Sequence, residues 1–341
     1  VLTFPAPGAV QVGLASVLAV PAVARCAQVT VGLIRQMSLD AYRGAQVLPR
    51  SRFLQCPDPT PNTARAWFVG QQVQDYLVHG NAVHLITVRG QDGYPLAASW
   101  VPASWVSITR DPETSEVAYW VRGRRVSSAD VVHVRRGGDE WEPARGVGVV
   151  EQHLTTWARI ERQGRYESDM LDVSAVPSVA IETPNPDLSQ EEADAASERW
   201  LEKFQERKPA FLPAGTKITP LAWSPQDSQM VEARKLSLVD VANMFNLDAF
   251  WVGGESAGLT YKSVGPMFLS LVRQTVGPIT DDFEQIWGAA WLPYGQELRF
   301  ATREILADDM TTDVAWIEKA IGVGLLTVEQ GQQWLGLGGL S

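Results

Sequence analysis

The chain has 341 residues, 45% hydrophobic and 20% charged, with a formal net charge of −10. At about 100–200 residues per domain this length holds two or three domains or sub-domains. The composition excludes wholesale disorder and a fibrous repeat, and no apolar run reaches the about 20 residues that a membrane helix needs. The charge is uneven: residues 1–110 carry +4, residues 111–170 carry −2 and residues 171–341 carry −12. Such a chain does not hold DNA tightly by neutralising phosphates, although it could surround DNA without gripping it. Composition alone favours the plainer reading, an acidic soluble protein.

Val1 to Gln36 is rich in Ala and Val, but its first charge is Arg25, behind the apolar stretch, and Pro5, Pro7 and Pro21 interrupt it. That is not the order of a secretory signal. Val23, Cys26, Ala27, Val31 and Ile34 fall at offsets 0, 3, 4, 8 and 11, which predicts a helix over 21–37. Ala41-Tyr42-Arg43-Gly44 reads as strand and turn. A second helix is predicted over 63–80, stopped by a turn at Gly80-Asn81. Strands follow at 83–88, 97–101, 106–110, 117–121 and 131–135, separated by turn signals such as Gln91-Asp92-Gly93. This region is α+β with a small, mostly antiparallel sheet.

From Val147 the period changes. Val147, Val150, Leu154, Trp157 and Ala158 mark one face of a long helix running to about residue 170. Residues 172–225 are a distinct insert: strands at 179–181, 210–212 and 218–221, and a helix to about Glu206 with Ser189 as cap and Glu192 in the capping-box position. A second long helix over 228–245 carries Leu238, Val241, Ala242 and Phe245 on one face. Asn246–Thr260, with Gly253, Gly254 and Gly258, is a flexible connection. Helices follow at 264–276, broken by Pro266, and at 278–291, then a strand at 298–302. The tail has helices at 313–322 and from 326.

Candidate chemistry is sparse. Gly254-Glu255-Ser256-Ala257-Gly258 matches the Gly-x-Ser-x-Gly nucleophile elbow of esterases. The triad order serine, acid, histidine requires a His after Ser256, and all four His (His79, His84, His133, His153) precede it. A glycine-rich loop is therefore preferred, with α/β-hydrolase-type esterase as the alternative. His84 and His133 lie on predicted strands and read as sheet or core residues. Two cysteines, Cys26 and Cys56, make no disulfide framework, and reduced thiols are preferred over a single bridge. The Cys and His spacings give no zinc pattern, Asp308, Asp309 and Asp313 read as helix-end charges, and no P-loop is present. Arg122, Arg124, Arg125, Arg135 and Arg136 form a basic cluster bracketed by acids, read as a solvated or salt-bridged surface with a polyanion patch as the alternative. No catalytic residue, cofactor or metal ligand is assigned.

Segments spread over nearly the whole chain resemble the portal proteins of tailed bacteriophages, of the HK97-like type. They are Val23–Ala27, Asp75–Ala82 (Asp-Tyr-Leu-Val-His-Gly-Asn-Ala), Asp130–Arg135 (Asp-Val-Val-His-Val-Arg), Gly146–Val149, Val241–Leu247, Thr260–Ser263 and Gly324–Glu329. Each is weak alone, and their order and spacing carry the resemblance. Asp248 stands where the family has Pro, and Lys262-Ser263 where it has Ser-Asn. The terminal segment also lacks the family's usual Arg, and the chain looks trimmed at both ends.

The resemblance implies an α+β portal fold: a wing over 1–145, a first stem helix over 146–171, a mixed clip lobe over 172–225 and a second stem helix over 226–247. A tunnel loop over 248–262, a tunnel helix returning to the wing over 263–302 and a helical crown over 303–341 complete it. It implies a homo-oligomeric ring, a dodecamer, at one capsid vertex, located in the virion and in the host cytoplasm during assembly. Double-stranded DNA would pass non-specifically through the channel. Other implied partners are the terminase large subunit, the capsid protein and head–tail connector proteins; no membrane is implied. Asp248, Phe250, Trp251, Gly253, Gly254, Glu255 and Gly258 would belong to the tunnel loop. Glu191, Glu192, Glu198, Glu202 and Glu206 would offer the clip surface for terminase docking.

Overall fold

The computed structural model describes residues 17–111, 113–138, 143–171, 179–182, 189, 191–195, 197–198, 217–220, 238–254, 264–302, 305 and 310–334. Helix α1 (Pro21–Gln36) begins on a proline in its first turn, where the missing N–H costs nothing, and buries Val23, Cys26, Ala27, Thr30 and Ile34. Strands β1 (Leu39–Arg43) and β2 (Gln46–Val47) turn about Gly44 at φ 59°. A short helix α2 (Arg52–Gln55) follows, its start capped by Ser51 Oγ, which accepts from Leu54 N at 3.2 Å. It had no counterpart in the sequence reading, because one turn is too short to show a period. Helix α3 (Arg65–His79) stops at Gly80, left-handed at φ 76°. Strand β3 (Asn81–Arg89) starts on the next residue, so the expected turn at Gly80-Asn81 is the glycine alone.

Strands β4 (Pro95–Val101), β5 (Val106–Arg110), β6 (Val117–Val121), β7 (Arg124–Val126) and β8 (Val131–Arg135) complete this part. They form two separate three-stranded antiparallel sheets, β4-β3-β8 and β5-β6-β7, in place of one. The single long helix expected from Val147 is two, α4 (Val149–Gln152) and α5 (Leu154–Leu171). The backbone leaves the helical region at His153, with φ −121° and ψ 30°. Strands β9 (Val179–Glu182) and β10 (Lys217–Pro220) pair antiparallel, Ile181 opposite Ile218.

Two further expectations are corrected in the second half. Pro266 does not break its helix: it sits in the first turn of α6 (Val264–Leu271), where no intrahelical partner is lost. Nor is there a break before Pro278. A π turn, Val272–Val276, joins α6 directly to α7 (Gly277–Trp291). Strand β11 (Glu297–Phe300) then pairs with β1, Leu39 opposite Phe300, which returns the chain to its own beginning. Helices α8 (Met310–Gly322) and α9 (Val328–Trp334) end the described chain. No helix among the described residues is long and apolar enough to cross a membrane.

The chain divides into two units, residues 18–153 with 239–341, and residues 1–17 with 154–238. The core of the first is aromatic. Helix α7 supplies Phe283, Trp287 and Trp291 at helical spacing, with Trp287 and Trp291 stacked at 4.4 Å. Phe68 from α3, Phe53 from α2 and Phe300 from β11 surround them. Such ring pairs are worth about 0.5–1.5 kcal/mol each beyond the area they bury. His84 is fully buried among these rings. Trp291 Nε1 donates to His84 Nε2 at 3.1 Å, which leaves the imidazole proton on Nδ1, facing Gln72 Oε1 at 3.5 Å. Burial pushes the His84 pKa down to about 3, so the ring is a neutral core residue. Both cysteines are free thiols, and burial pushes Cys26 up to about 12.

Candidate functional site

Three of the segments singled out in the sequence, Asp75–Ala82, Asp130–Arg135 and Gly146–Val149, meet at one junction. Its centre is Asn81, the first residue of β3. Its Nδ2 donates to the carbonyls of His79 (2.8 Å) and Gly146 (2.9 Å). Its Oδ1 accepts from Gly146 N (2.8 Å) and from His133 Nε2 (3.0 Å). All four hydrogen-bonding positions of the amide are used, in a residue 7% exposed. Because His133 donates through Nε2, its Nδ1 accepts, and Tyr119 Oη lies 3.3 Å away. Burial, then the nearby Arg135 charge, push His133 down to about 4, so it too is neutral.

Backbone meets backbone at the same place. A Cβ on Gly146 would overlap the carbonyl oxygen of Gly80, and one on Gly148 would overlap that of Val78. These glycines are needed for close approach, the reason a strand end, a helix end and the start of α4 can share one point. Arg136 N donates to Gly80 O (2.8 Å), and its Nη1 donates to Val147 O and Gln152 Oε1 (3.0 Å each). Arg145 clamps Glu151 of α4 with two bonds, of 2.8 and 2.6 Å. Arg135 Nη1 donates to Pro143 O at 2.8 Å. The basic cluster seen in the sequence is therefore split. Arg135 and Arg136 are structural, and Arg122, Arg124 and Arg125 remain exposed on β6–β7.

Helix α3 also ties down its other neighbours. Asp75 Oδ2 accepts from Trp100 Nε1 (2.9 Å) and Ala103 N (3.0 Å). Burial outweighs these bonds and raises its carboxyl to about 6. Tyr76 Oη donates to Asp282 of α7. Sequence reading missed Asn81, Tyr76 and Asp282 as partners. The only signal was a polar residue placed directly behind a helix-ending glycine.

The second place is the connection after residue 244. Helical turns over 239–244 end in a Schellman motif, with Asn246 N donating to Asn243 O (3.0 Å) and Leu247 N to Ala242 O (2.9 Å). Asn246 takes the left-handed position at φ 53°. Its Nδ2 donates to Gln274 O at 2.8 Å, and its carbonyl accepts from Thr275 Oγ1. Gln274 lies four residues before Pro278, which has no N–H to offer it, and Asn246 occupies the acceptor that proline leaves open. The π turn falls there, with Gly277 N donating to Val272 O.

Asp248 Oδ1 then caps a 3₁₀ turn, Ala249–Val252, by accepting from Phe250 N at 2.9 Å. Trp251 packs edge-on to Phe250 and Phe268 (5.3 and 6.2 Å), and its carbonyl accepts from Arg25 Nε at 3.2 Å. Gly253 is left-handed at φ 89°, and Gly254 N returns to Ala249 O at 2.7 Å. A cleft of about 250 Å³ between Asn243, Asn246, Trp251, Met267 and Leu271 flanks this base. Glu255, Ser256, Ala257 and Gly258 lie outside the described residues, so the elbow motif has no described geometry.

Of the expected docking residues, Glu191, Glu192 and Glu198 are described, each helical and exposed. Ser189 and Glu192 form the capping box: Ser189 Oγ accepts from Glu192 N (3.3 Å), and Glu192 Oε2 accepts from Ser189 N (3.2 Å). Glu202 and Glu206 lie outside the described residues. Among the described residues no cluster of three or more His, Cys, Asp or Glu side chains could hold a metal ion.

Comparison with known proteins gives one family and one fold. No curated protein sequence matches. A crystal structure of an HK97 family phage portal protein from Corynebacterium diphtheriae matches at 17% identity and a TM-score of 0.66, over 86% of this chain and 96% of that one. A chain in the virion of a native gene transfer agent particle matches at 18% identity and 0.66, over 95% of this chain and 92% of that one. A chain in the neck of the native particle, computed with C12 symmetry, matches at 17% and 0.62, over the same shares. The sequence profile of the phage portal protein family covers residues 21–336, and the chain belongs to that family.

Proposed function

We propose that the protein assembles as a ring of twelve copies at one vertex of a phage capsid, and that duplex DNA is packaged and ejected through its central channel. The observation that carries this is the family match over residues 21–336. A fold shared with a chain of a gene transfer agent neck computed with C12 symmetry supports the copy number. On this reading the protein resides in the virion, with an earlier stage in the host cytoplasm. The wing covers 1–145, the stem helices 146–171 and 226–247, the clip 172–225, the tunnel loop 248–262, the tunnel helix and return 263–302 and the crown 303–341. Negative-stain microscopy of the purified protein tests the assembly directly. Rings with a central hole are expected, and a strict monomer at every concentration and salt would overturn the reading.

The −12 charge of residues 171–341 suits a wall along which phosphates slide. Phe250, Trp251, Gly253 and Gly254 with Asp248, Glu255 and Gly258 are then the tunnel loop. The clip helix, with Glu191, Glu192, Glu198, Glu202 and Glu206, is the docking face for the terminase large subunit. Capsid protein and head–tail connectors are the remaining partners. Reversing Glu198 and Glu202 to Lys should weaken terminase in a pull-down while rings still form; unchanged binding removes these residues from the docking face. The protein acts without catalysis, cofactor or metal. Short-chain nitrophenyl esters should turn over at background rate, and turnover that vanishes in Ser256→Ala would revive the esterase alternative.

A further inference from the structure

The β5-β6-β7 sheet carries opposite charge at its two ends. The β5–β6 turn presents Asp111, Glu113 and Glu116, all exposed, with Arg110 as the single base beside them. Asp111 is engaged locally, its Oδ1 accepting from Glu113 N (2.8 Å) and Thr114 N (2.9 Å). The carboxylates of Glu113 and Glu116 have no ionic partner among the described residues. The β6–β7 turn, at the other end of β6, presents Arg122, Arg124 and Arg125, also exposed. Arg122 is left-handed at φ 48°, a conformation that costs a branched-free side chain about 1 kcal/mol. It is held there by Arg122 N donating to Trp105 O (2.9 Å) and by its guanidinium lying 3.3 Å over the Trp105 ring. Arg124 and Arg125 have no ionic partner among the described residues. Arg125 stands opposite Trp120, itself 37% exposed, so the basic end has an apolar centre.

At about 3.3 Å per residue, the five residues of β6 hold the two ends about 17 Å apart, beyond the Debye length of about 8 Å at physiological salt. They do not neutralise each other within one copy. A closed ring is built from heterologous contacts, in which one surface of each copy meets a different surface of the next. A sheet that is basic at one end and acidic at the other is complementary to itself in that arrangement. We propose that β5-β6-β7 is a head-to-tail contact between neighbouring copies, with the Arg122–Arg125 end of one copy set against the Asp111–Glu116 end of the next, and Trp120 and the Arg122–Trp105 stack beside the ion pairs. This rests on the ring reading, and commits to a second copy of this chain as the occupant.

The experiment is charge exchange in the full chain, with ring fraction measured by analytical ultracentrifugation and microscopy over a range of protein concentration. R124E/R125E raises the concentration for half-assembly about tenfold or more. E113K/E116K does the same. The fourfold variant carrying both exchanges recovers assembly, which a general loss of stability could not produce. Circular dichroism melts check that each variant keeps its fold. Rings that form normally in both double variants overturn this contact and leave the portal reading standing. Wild-type protein that never forms rings overturns the portal reading itself. A fourfold variant that stays unassembled also overturns the pairing. If R124E/R125E assembles normally but loses retention of duplex DNA at low salt, the arginines read phosphate and the proposal fails.

Discussion

The junction at Asn81 and the connection at Asn246 each turn on an asparagine just past a helix end, but they are held in different ways. At Asn81 every donor and acceptor of the side chain is used, the farthest partner lies 65 residues away in sequence, and glycines bring backbone against backbone. At Asn246 the side chain bonds one carbonyl that proline leaves open, in an exposed position, beside a π turn and ahead of Gly253. A fully satisfied buried network fixes one geometry and penalises every other. A connection whose side-chain tie is one exposed bond opens at lower cost.

The comparison breaks most visibly at Gly146. A Cβ there meets the Gly80 carbonyl and Arg136 N, backbone on both sides, so neither can rotate away. Gly146→Ala should cost about 4 kcal/mol in urea unfolding. A loss below about 1 kcal/mol would mean that the junction relaxes and is not the rigid part. Asn81→Leu comes next, at about 3 kcal/mol, since it strands Gly146 N and O and His133 Nε2 away from water. Asn81→Asp keeps the acceptor, loses both donations and should fall between leucine and wild type in the same titration.

A smaller effect separates the groups by pH. His84 and His133 have pKa values held down to about 3 and about 4 by burial. Their contribution is complete above the ordinary histidine value of about 6.5 and is lost as pH falls towards 4 and 3. Asp75 runs the other way: raised to about 6 by burial, it favours the fold most below the ordinary value of about 4 and loses that contribution as pH rises through 6. Asp75→Asn keeps an acceptor for Trp100 and Ala103 but removes this titration. Thermal melts at pH 8 and pH 5 should show the variant losing about 1 kcal/mol more than wild type on acidification. Equal losses would show that Asp75 does not titrate in this range.

Much of the region over residues 81–135 was legible because its signals are local. β5, β6 and β8 occupy the expected residues, since branched and aromatic residues lie between turn formers there. The junction was not legible as a network, because Asn81, His133 and Gly146 are far apart in sequence and each looks ordinary where it stands. Pro266 misled because it falls in a first turn and costs nothing, whereas Pro278 does stand in the first turn of a helix ending at Trp291, as expected, and only the π turn with its outside donor, which joins that helix to the one before, was not foreseen. Glu202, Glu206 and Glu255 to Gly258 lie outside the described residues, so their expected roles rest on the resemblance.

The smallest stability effect is expected at the Asn246 connection, where it should be accompanied by the largest change in motion. Asn246 does two separable things: it adopts φ 53° and it donates to Gln274 O. Asn246→Gly keeps the first and removes the second. Because Gln274 O is near solvent, water can take the lost bond, and global stability should change by about 1 kcal/mol or less. Local opening is another matter, since the bond ties the chain leading into Asp248–Gly254 to the π turn. Amide exchange over 247–254 should quicken about fivefold or more for a bond worth about 1 kcal/mol, with the aromatic core amides unchanged. Pro278→Ala should act in the same direction by a different route. It restores an N–H that can close on Gln274 O within the helix, competing with Asn246 for the same acceptor and drawing the π turn towards a regular helix. If both variants leave exchange over 247–254 as in wild type, the Schellman bonds of Asn246 N and Leu247 N hold the connection, and the side chain has no part in how the loop moves.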